Sequence, residues 1–369
     1  MVETYRTHCV YIKIRSVCMD KALNQRNYLL DITRLVAIIA VIMLHCSAYF
    51  VAFFPLGSRE FIIGSIFNSI SRIGVPLFVM ISGALFLDEH KEVTLKKLFL
   101  KNIKSLAIIS VIWAVFYSVI YQIVLPILGN EPVDAKAFLG AIVFGHTHMW
   151  YLYMIIGLYI ITPFLRTFAK GENKGLVLLF IGISFCVNFC EPVIDAISKI
   201  GPDLSFVNSW IGKFRLDFFG GYTAYYLAGW YIVHVGIKQR WAGVIVYFLG
   251  VISLLLTVVF VNLTGDYNNA HQNIGVPVFL YAISAFVALN NIHMQFTEKN
   301  AKILTQMSKL SFGTYMIHML VLTVFNKCFP YNNNCLEYIA MSFLAVTCVS
   351  FFISYILSKI PVLKIIVRQ

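Results

Sequence analysis

The sequence predicts an all-α polytopic integral membrane protein of about ten transmembrane helices, with both termini in the cytoplasm. Three observations lead to this fold class. The 369 residues are 59% hydrophobic and only 12% charged, apolar runs of about 20 residues recur along the chain, and positive charge alternates between connecting segments. Soluble globular domains carry about 25% charged residues. This chain therefore has too few charges to cover a water-facing surface.

Each predicted span is an apolar run long enough to cross a hydrocarbon core of about 30 Å. The ten spans are Leu35–Phe54, Phe61–Leu87, Ser105–Leu128, Met149–Leu165, Leu176–Val193, Phe218–Ile237, Trp241–Leu263, Ile274–Ile292, Leu310–Phe329 and Leu336–Ile360. No soluble-looking stretch of domain length separates them. We therefore expect residues 27–369 to form one transmembrane domain, preceded by a basic cytoplasmic extension at residues 1–26.

The net charge of +12 would suggest a nucleic-acid partner in a soluble protein. Here the positions of the charges favour membrane topology instead. With the N-terminus in the cytoplasm, the inside segments hold 21 Lys and Arg residues and the outside loops hold 6, with Arg34 and Arg72 within or beside spans. Because positive residues concentrate on the cytoplasmic side, this bias predicts cytoplasmic termini and an even number of spans. We expect membrane lipids as partners and no nucleic acid.

Cysteine usage gives no sign of a metal site. The sequence contains no CxxC pair, no zinc-ligand spacing and no haem signature, so we expect no metal and no permanently bound cofactor. Two of the eight cysteines, Cys328 and Cys335, flank the short outside loop CFPYNNNC. A disulfide between them and two free thiols are both open at this point.

Ionisable groups inside a bilayer are costly and usually face a cavity. His45, Arg72 and His318 lie within the predicted spans, at depths of about 16, 22 and 12 Å from the cytoplasmic ends of their helices. All three fall in one central slab, and no Asp or Glu lies in the middle of any predicted span. The candidate site is therefore one of imidazole and guanidinium chemistry, although hydrogen bonding that only braces the fold is the structural alternative for each residue.

The first span carries a charged stripe. Arg34 precedes His45 by eleven residues. An α-helix rotates by about 100° per residue, so this spacing differs from three full turns by only about 20°, and both side chains should share a face. Asp31 lies three residues before Arg34, where it can hold the guanidinium. Because apolar surroundings disfavour an imidazolium, His45 should be neutral and able to accept a proton.

Two further segments can contribute polar groups. Arg72 lies close to Gly74 and Pro76, which loosen a helix, and an arginine at that depth can bind a developing negative charge or be braced by carbonyl groups. His318 can orient a partner or act as a structural contact between helices. A cluster of two histidines and two aromatic residues at the outer mouth of the fourth span suits either sugar stacking or an interfacial aromatic belt. Its members are His146, His148, Trp150 and Tyr151.

The segment NYLLDITRLVAIIAVIMLHCS resembles the first helix of the acyltransferase-3 family, in which an Arg or Lys is followed by ten residues and then His. Arg34 and His45 match that pattern. The segments SRIGVPLFVMISG, HMWYLYMIIGLYIITPFLR and LSFGTYMIHML resemble the family's second-helix, central tryptophan and late histidine motifs. The central segment is similar to that of the enterobacterial common antigen O-acetyltransferase type.

The resemblance implies a bacterial inner-membrane enzyme that moves an acyl group, with acetyl expected, from cytoplasmic acetyl-CoA to a hydroxyl of a cell-surface or lipid-linked glycan. Acetyl-CoA would be a co-substrate, and its nucleotide would meet the basic segment Lys91–Lys104. The candidate site residues are His45 and Arg72 for catalysis, Arg34 and Asp31 for the donor, and His148, Trp150, Tyr151 and His318 for the substrate.

A secondary transporter or flippase of a glycan or lipid is the alternative function, because ten helices with buried charges also suit a carrier. Proton-driven carriers usually need intramembrane carboxylates, and the predicted spans lack them at their centres. The enzyme is therefore favoured over the carrier.

The charge distribution gives a direct test of topology. A reporter fused after Lys174 should be cytoplasmic, and one fused after Gly265 should be external, because the flanking segments differ in positive charge. Alkaline phosphatase and green fluorescent protein fusions measure the two sides. The reverse pattern of activity would contradict the predicted orientation.

Overall fold

Fourteen helices of eight residues or more form the part of the chain that the computed structural model describes, which is residues 28–367 except 130, 131, 133, 238, 266–271, 293, 295 and 332. The predicted extension at residues 1–26 lies outside the described residues. The helices are α1 (Tyr28–Phe53), α2 (Arg59–Ser71), α3 (Gly74–Phe86), α4 (Lys104–Val119), α5 (Ala135–Phe144), α6 (Trp150–Phe168), α7 (Lys174–Ser184), α8 (Glu191–Ile200), α9 (Ser205–Gly212), α10 (Thr223–Trp230), α11 (Arg240–Thr264), α12 (Val276–Asn290), α13 (Glu298–Cys328) and α14 (Cys335–Lys359). The predicted all-α fold class is confirmed.

Eight described segments are long and apolar enough to cross a membrane. They are Tyr28–Phe53, Arg59–Phe86, Leu95–Leu128, Ala135–Phe168, Gly171–Asp195, Trp241–Thr264, Glu298–Cys328 and Cys335–Lys359. The other two predicted spans contain the shorter helices α10 and α12, of 8 and 15 residues. Gly236, with a φ of +73°, ends the π-helical turn that follows α10, and Pro277 is the second residue of α12. A glycine with positive φ commonly ends a helix, and a proline is common in the first turn of one.

The outer surface of the bundle is apolar. On α11, for example, Phe248, Leu255 and Val259 are 65%, 59% and 52% exposed. A soluble monomer rarely exposes large contiguous apolar patches. Lipid chains can cover these side chains, so the exposed surface supports the same multi-pass membrane arrangement as the helix lengths.

Helix α1 lies at the centre of the bundle, where it packs against α2, α3, α12, α13 and α14. Its side chains Ala37, Ile38 and Ile42 are fully buried. Close packing on several sides fixes the rotation of α1 about its axis, and that rotation decides where Arg34 and His45 point.

The second predicted span is broken at Arg72 and Ile73, between α2 and α3. Pro76 has no N–H for the carbonyl of Arg72, four residues earlier, and its ring crowds that carbonyl. Gly74 allows the broken segment to approach α1, since a Cβ there would lie 2.8 Å from Val41 Cγ2 and 3.0 Å from the Ala37 carbonyl oxygen. The loosening predicted from Gly74 and Pro76 is therefore present, and it occurs at Arg72.

Helices α3 and α10 cross with their backbones almost in contact. A Cβ on Gly83 would lie 1.8 Å from the Tyr226 carbonyl oxygen, and one on Gly229 would lie 2.0 Å from the Met80 carbonyl oxygen. Both obstacles are backbone atoms, which cannot rotate away. The two glycines are therefore required for this crossing, as small residues often are between membrane helices.

Gly83→Ala and Gly229→Ala should each force α3 and α10 apart and destabilise the protein by about 1–3 kcal/mol or more. Gly157→Ala in α6 is a matched control, because no neighbouring atom lies within 4 Å of its added Cβ. Thermal midpoints of fluorescently tagged protein in detergent measure the difference. Equal midpoints for all three variants would contradict the close crossing.

Candidate active site

The Arg34 end of α1 is held by a buried carboxylate. Arg34 Nη1 donates to Asp31 Oδ1 at 3.2 Å, and Ser308 Oγ on α13 donates to the same oxygen at 2.7 Å. Asp31 is 1% exposed. The predicted pairing of Asp31 with Arg34 is confirmed, and the serine adds a link between α1 and α13. A buried carboxylate needs such partners.

Four histidines from three parts of the chain form a contiguous row deeper in the bundle. The ring centroids of His45 on α1 and His318 on α13 are 5.2 Å apart, those of His318 and His148 are 5.4 Å apart, and those of His148 and His146 are 5.1 Å apart. His146 and His148 lie in the turn before α6. We call these four residues the histidine row.

Backbone carbonyls fix the ring orientation within the histidine row. His318 Nδ1 lies 2.5 Å from the Tyr315 carbonyl oxygen, and a carbonyl can only accept, so Nδ1 carries the hydrogen. The Tyr315 hydroxyl in turn donates to the His148 carbonyl oxygen. Tyr117 stacks on His146 with a centroid distance of 4.8 Å. The tyrosines therefore act as braces for the imidazoles.

Two imidazole nitrogens in the row have unused hydrogen-bonding capacity. The Nε2 atoms of His148 and His318 are buried, and neither finds a hydrogen-bond partner among the described residues. Burying a polar atom without a partner costs free energy. A bound hydroxyl or water can supply the missing hydrogen-bond partner.

Arg72 is connected to α1 through Asn68. Arg72 Nε and Nη2 donate to Asn68 Oδ1 at 2.9 and 2.5 Å, and Asn68 Nδ2 donates to the Leu44 carbonyl oxygen and to Ser47 Oγ at 3.1 and 3.3 Å. Leu44 and Ser47 flank His45 in sequence. Asn68 therefore fixes the guanidinium relative to the turn of α1 that carries His45.

Arg72 is partly exposed as a residue, whereas Asn68 is 1% exposed. In the part of the chain that the structure describes, no carboxylate forms an ion pair with Arg72. Asn68 occupies one edge of the guanidinium, and arginine has five donors in all. The remaining edge can bind an oxyanion close to His45.

A cavity of about 510 Å³ opens at the Arg34 end of the bundle. Its rim is cationic, with Arg34, Lys101 and Lys309, and its deeper walls are aliphatic and aromatic. Successive turns of α13 line it from Ser308 to Tyr315, one turn before His318. His45 is not among the lining residues. The cavity therefore reaches Tyr315, which contacts the histidine row, and does not reach His45 itself.

A second cavity of about 500 Å³ adjoins the first, since both are lined by Leu85, Phe86 and Asn102. It runs along the segment between α3 and α4, where Lys91 and Lys97 contribute positive charge. The two cavities together give a groove that is basic on the surface and apolar toward the interior. This combination suits a ligand with an anionic head and a thin arm.

Arg166 holds the segment that forms this groove. Its guanidinium donates to the carbonyl oxygens of Phe86, Asp88 and Lys91 at 2.6, 2.9 and 2.7 Å. Burial by itself would raise the pKa of the Asp88 carboxyl, but the His90 backbone N–H at 3.0 Å and the Lys91 ammonium at 3.2 Å lower it. Asp88 is therefore charged and fixes Lys91 at the groove.

The structure divides the cluster that the sequence predicts at the mouth of the fourth span. His148 faces His318, and Tyr151 lines the cavity, with its ring 5.6 Å from that of Tyr315. Trp150 is 40% exposed and packs on Tyr222 at 5.7 Å. Neighbouring residues on a helix point about 100° apart, so one short motif serves three surroundings.

Three contributors to the site are absent from the sequence prediction. Asn68 precedes Arg72 by one helical turn, a spacing at which side chains meet, and Tyr315 stands in the same relation to His318. Lys309 gives no such signal, because its place on the cavity rim depends on the packing of α13.

Among the described residues, no group of three His, Cys, Asp or Glu side chains is arranged to hold a metal ion. Cys328 and Cys335 are free thiols.

A model of the acyltransferase domain named Acyl_transf_3 matches residues 27–359. The chain therefore belongs to the acyltransferase-3 family and is a multi-pass membrane acyltransferase. The matched range contains Arg34, Arg72 and the whole histidine row. No curated protein and no solved structure matches the chain.

Asn68→Ala should lower the turnover of acyl transfer roughly 10- to 100-fold, because the Arg72 guanidinium would lose its fixed position. Asn68→Asp keeps an acceptor but adds a negative charge that pairs with the guanidinium and offsets its positive charge. The turnover of this variant should therefore fall at least as far. Asn291→Ala is the control, since this amide bonds the Tyr247 hydroxyl at an exposed site. Wild-type turnover in Asn68→Asp would show that Arg72 does not act as a cation.

Proposed function

We propose that the protein is an O-acetyltransferase of the bacterial inner membrane. It transfers the acetyl group of cytoplasmic acetyl-CoA to a hydroxyl of a cell-surface or lipid-linked glycan. The observation that carries the proposal is the cavity with a cationic rim that leads along α13 to the histidine row. An acyl carrier with an anionic end and a thin arm matches the cavity, and imidazole chemistry matches its inner end.

The shape and charge of the groove favour coenzyme A as the carrier of the acyl group. Coenzyme A has a phosphorylated nucleotide and a slender pantetheine arm. The nucleotide would rest among Arg34, Lys101 and Lys309 and along the segment with Lys91 and Lys97. Arginine and lysine both bind phosphate groups well. The arm would then follow α13 inward, and Tyr315 is the last side chain it meets before the histidine row.

His45 and Arg72 would supply the chemistry of acyl transfer. A neutral imidazole can act as a general base on a hydroxyl, or it can accept the acyl group itself. In either case negative charge develops on the thioester oxygen as the carbonyl carbon becomes tetrahedral. The free edge of Arg72 would stabilise that oxygen, which is the role that positioned donors have in acyl transfer. Because Asn68 fixes Arg72 beforehand, the stabilisation needs little rearrangement.

The His146 end of the histidine row favours a sugar as the acceptor. His146 is partly exposed in the turn before α6, and the rings of Tyr117 and Tyr121 lie 4.8 and 4.6 Å from it. Aromatic faces and imidazole hydrogen bonds suit a sugar. The similarity of the central segment to the enterobacterial common antigen O-acetyltransferase type favours a glycan over other hydroxyl compounds.

The function can be tested with purified protein and with cells. Acetyl-CoA labelled in the acetyl group should transfer its label to a glycan fraction only when the protein is present, and mass spectrometry of surface glycans should show acetyl esters that are missing from cells without it. Movement of glycan across the membrane without any acetyl-CoA turnover would instead support a transporter.

His45→Ala should abolish transfer while membrane abundance stays near normal, because a neutral side chain is removed from an apolar slab. Arg34→Ala should mainly raise the KM for acetyl-CoA, whereas Arg72→Ala should lower kcat by about 10²-fold or more. Lysine should partly restore Arg34 and should restore Arg72 less, because it lacks the planar fork.

His234→Gln is the control for these variants. His234 lies outside the histidine row, with Nε2 2.8 Å from the Ala84 carbonyl oxygen, and glutamine keeps a donor for that contact. Its kinetic constants should equal those of the wild type. Full transfer by folded His45→Ala protein would contradict the proposed mechanism.

A further inference from the structure

The two innermost imidazoles of the histidine row differ in accessibility. His45 is partly exposed and lies close to Arg72, whereas His318 is fully buried beside it, with the two ring centroids 5.2 Å apart. A group that forms a bond with a substrate carbon must be reachable. A group that only accepts a proton can stay buried, provided that the hydroxyl is delivered to it.

The hydrogen of His318 is already committed. Nδ1 donates to the Tyr315 carbonyl oxygen, which leaves Nε2 with a lone pair, and that atom is buried without a described hydrogen-bond partner. A fixed tautomer with an unused lone pair is the form that a general base requires. The backbone of α13 therefore prepares His318 to accept a proton next to His45.

A single imidazole cannot serve two roles at once in a covalent mechanism. If His45 carries the acyl group on its nucleophilic nitrogen, that nitrogen cannot take the proton of the acceptor hydroxyl. No carboxylate hydrogen-bonds to the row among the described residues, and the row itself holds further imidazoles that can accept a proton. His318 is the neighbour of His45 in that row.

Resting on the proposed function, we propose that the reaction is divided between two imidazoles. His45 accepts the acyl group from the thioester, and His318 is the base that deprotonates the acceptor hydroxyl. His318 is then a catalytic residue in its own right, rather than a structural contact between α1 and α13.

The first half-reaction forms a bond between a His45 nitrogen and the acyl carbon and breaks the carbon–sulfur bond. The hydrogen that His45 carried passes to the leaving sulfur, so that the products are acyl-His45 and free coenzyme A thiol. Arg72 faces the carbonyl oxygen in this step. No oxidant, reductant or further reactant is needed.

The second half-reaction forms a bond between the hydroxyl oxygen and the acyl carbon and breaks the bond to His45. The hydroxyl proton moves to His318 Nε2, and His45 leaves as an imidazolate. His318 then returns the proton to His45, which restores both neutral rings. Each imidazole ends as it began, and the net products are the ester and coenzyme A.

The wild-type protein tests the first half-reaction without any substitution. Incubated with acetyl-CoA and radiolabelled coenzyme A but without a glycan acceptor, it should exchange label into acetyl-CoA, because acyl-His45 can return its acyl group. His45→Gln should show no exchange. Absence of exchange in wild-type protein that transfers acetyl groups to glycan would overturn the proposal while leaving the proposed function intact.

His318→Gln tests the second half-reaction. It should release about one equivalent of coenzyme A per protein and then stall, with glycan transfer lowered by about 10²-fold or more. Mass spectrometry should find the acetyl group on the peptide that contains His45. The burst also reports that the variant is folded.

A matched control separates a loss of catalysis from a general effect of replacing a histidine. His234→Gln, outside the row, should turn over like the wild type without accumulating acyl-protein. If His318→Gln transfers acetyl groups to glycan within threefold of the wild-type rate, His318 is not the base and the proposal is wrong. If His318→Gln releases no burst although the wild type exchanges label, the proposal is also wrong, because His318 would then be needed before the acyl group leaves sulfur.

Discussion

The lack of water inside the bilayer is the constraint on which the rest of this structure depends. A buried polar group there has to find its partner within the protein, on its own helix or on another, because an unpaired one costs several kcal/mol. Asp31 is met by Ser308, and Asn68 donates to the Leu44 carbonyl. Each contact connects α1 with a neighbour. Polar groups of the candidate site therefore also fix helices around α1.

The same constraint explains the placement of irregular backbone. Non-helical segments at membrane depth are tolerated where protein surrounds them or where they line a cavity. The break at Arg72 packs against α1 through Gly74, and the turn that begins at Gly145 carries His146 and His148 to the inside of the bundle. In both places the departure from helical geometry is what brings a polar side chain to the site.

The cavity of about 510 Å³ and the histidine row are separate regions, and Tyr315 contacts both. Tyr315 lines the cavity, and its carbonyl oxygen and hydroxyl hold His318 and His148. A change in the position of this tyrosine would act on both regions at once. Tyr315 thus joins the cavity wall to the imidazoles through a single turn of α13.

Relations within one helix could be predicted from sequence, because the rise of 1.5 Å and the turn of 100° per residue fix them. The all-α membrane fold, the pairing of Asp31 with Arg34 and the loosened helix around Gly74 were all accessible in this way. The same spacing could have found Asn68 beside Arg72. The family resemblance also followed from motifs within single helices.

Relations between helices were decided by the tertiary structure. The sequence placed His45 and His318 in one slab, but only the packing of α1 on α13 brought their rings into contact, and only the turn before α6 added His148. The rotation of α6 sent Trp150 and Tyr151 to different surroundings. Hydropathy does not determine which helices pack together or how each is rotated, because any sufficiently apolar helix is compatible with lipid. Close packing and the partners of buried polar groups select one arrangement.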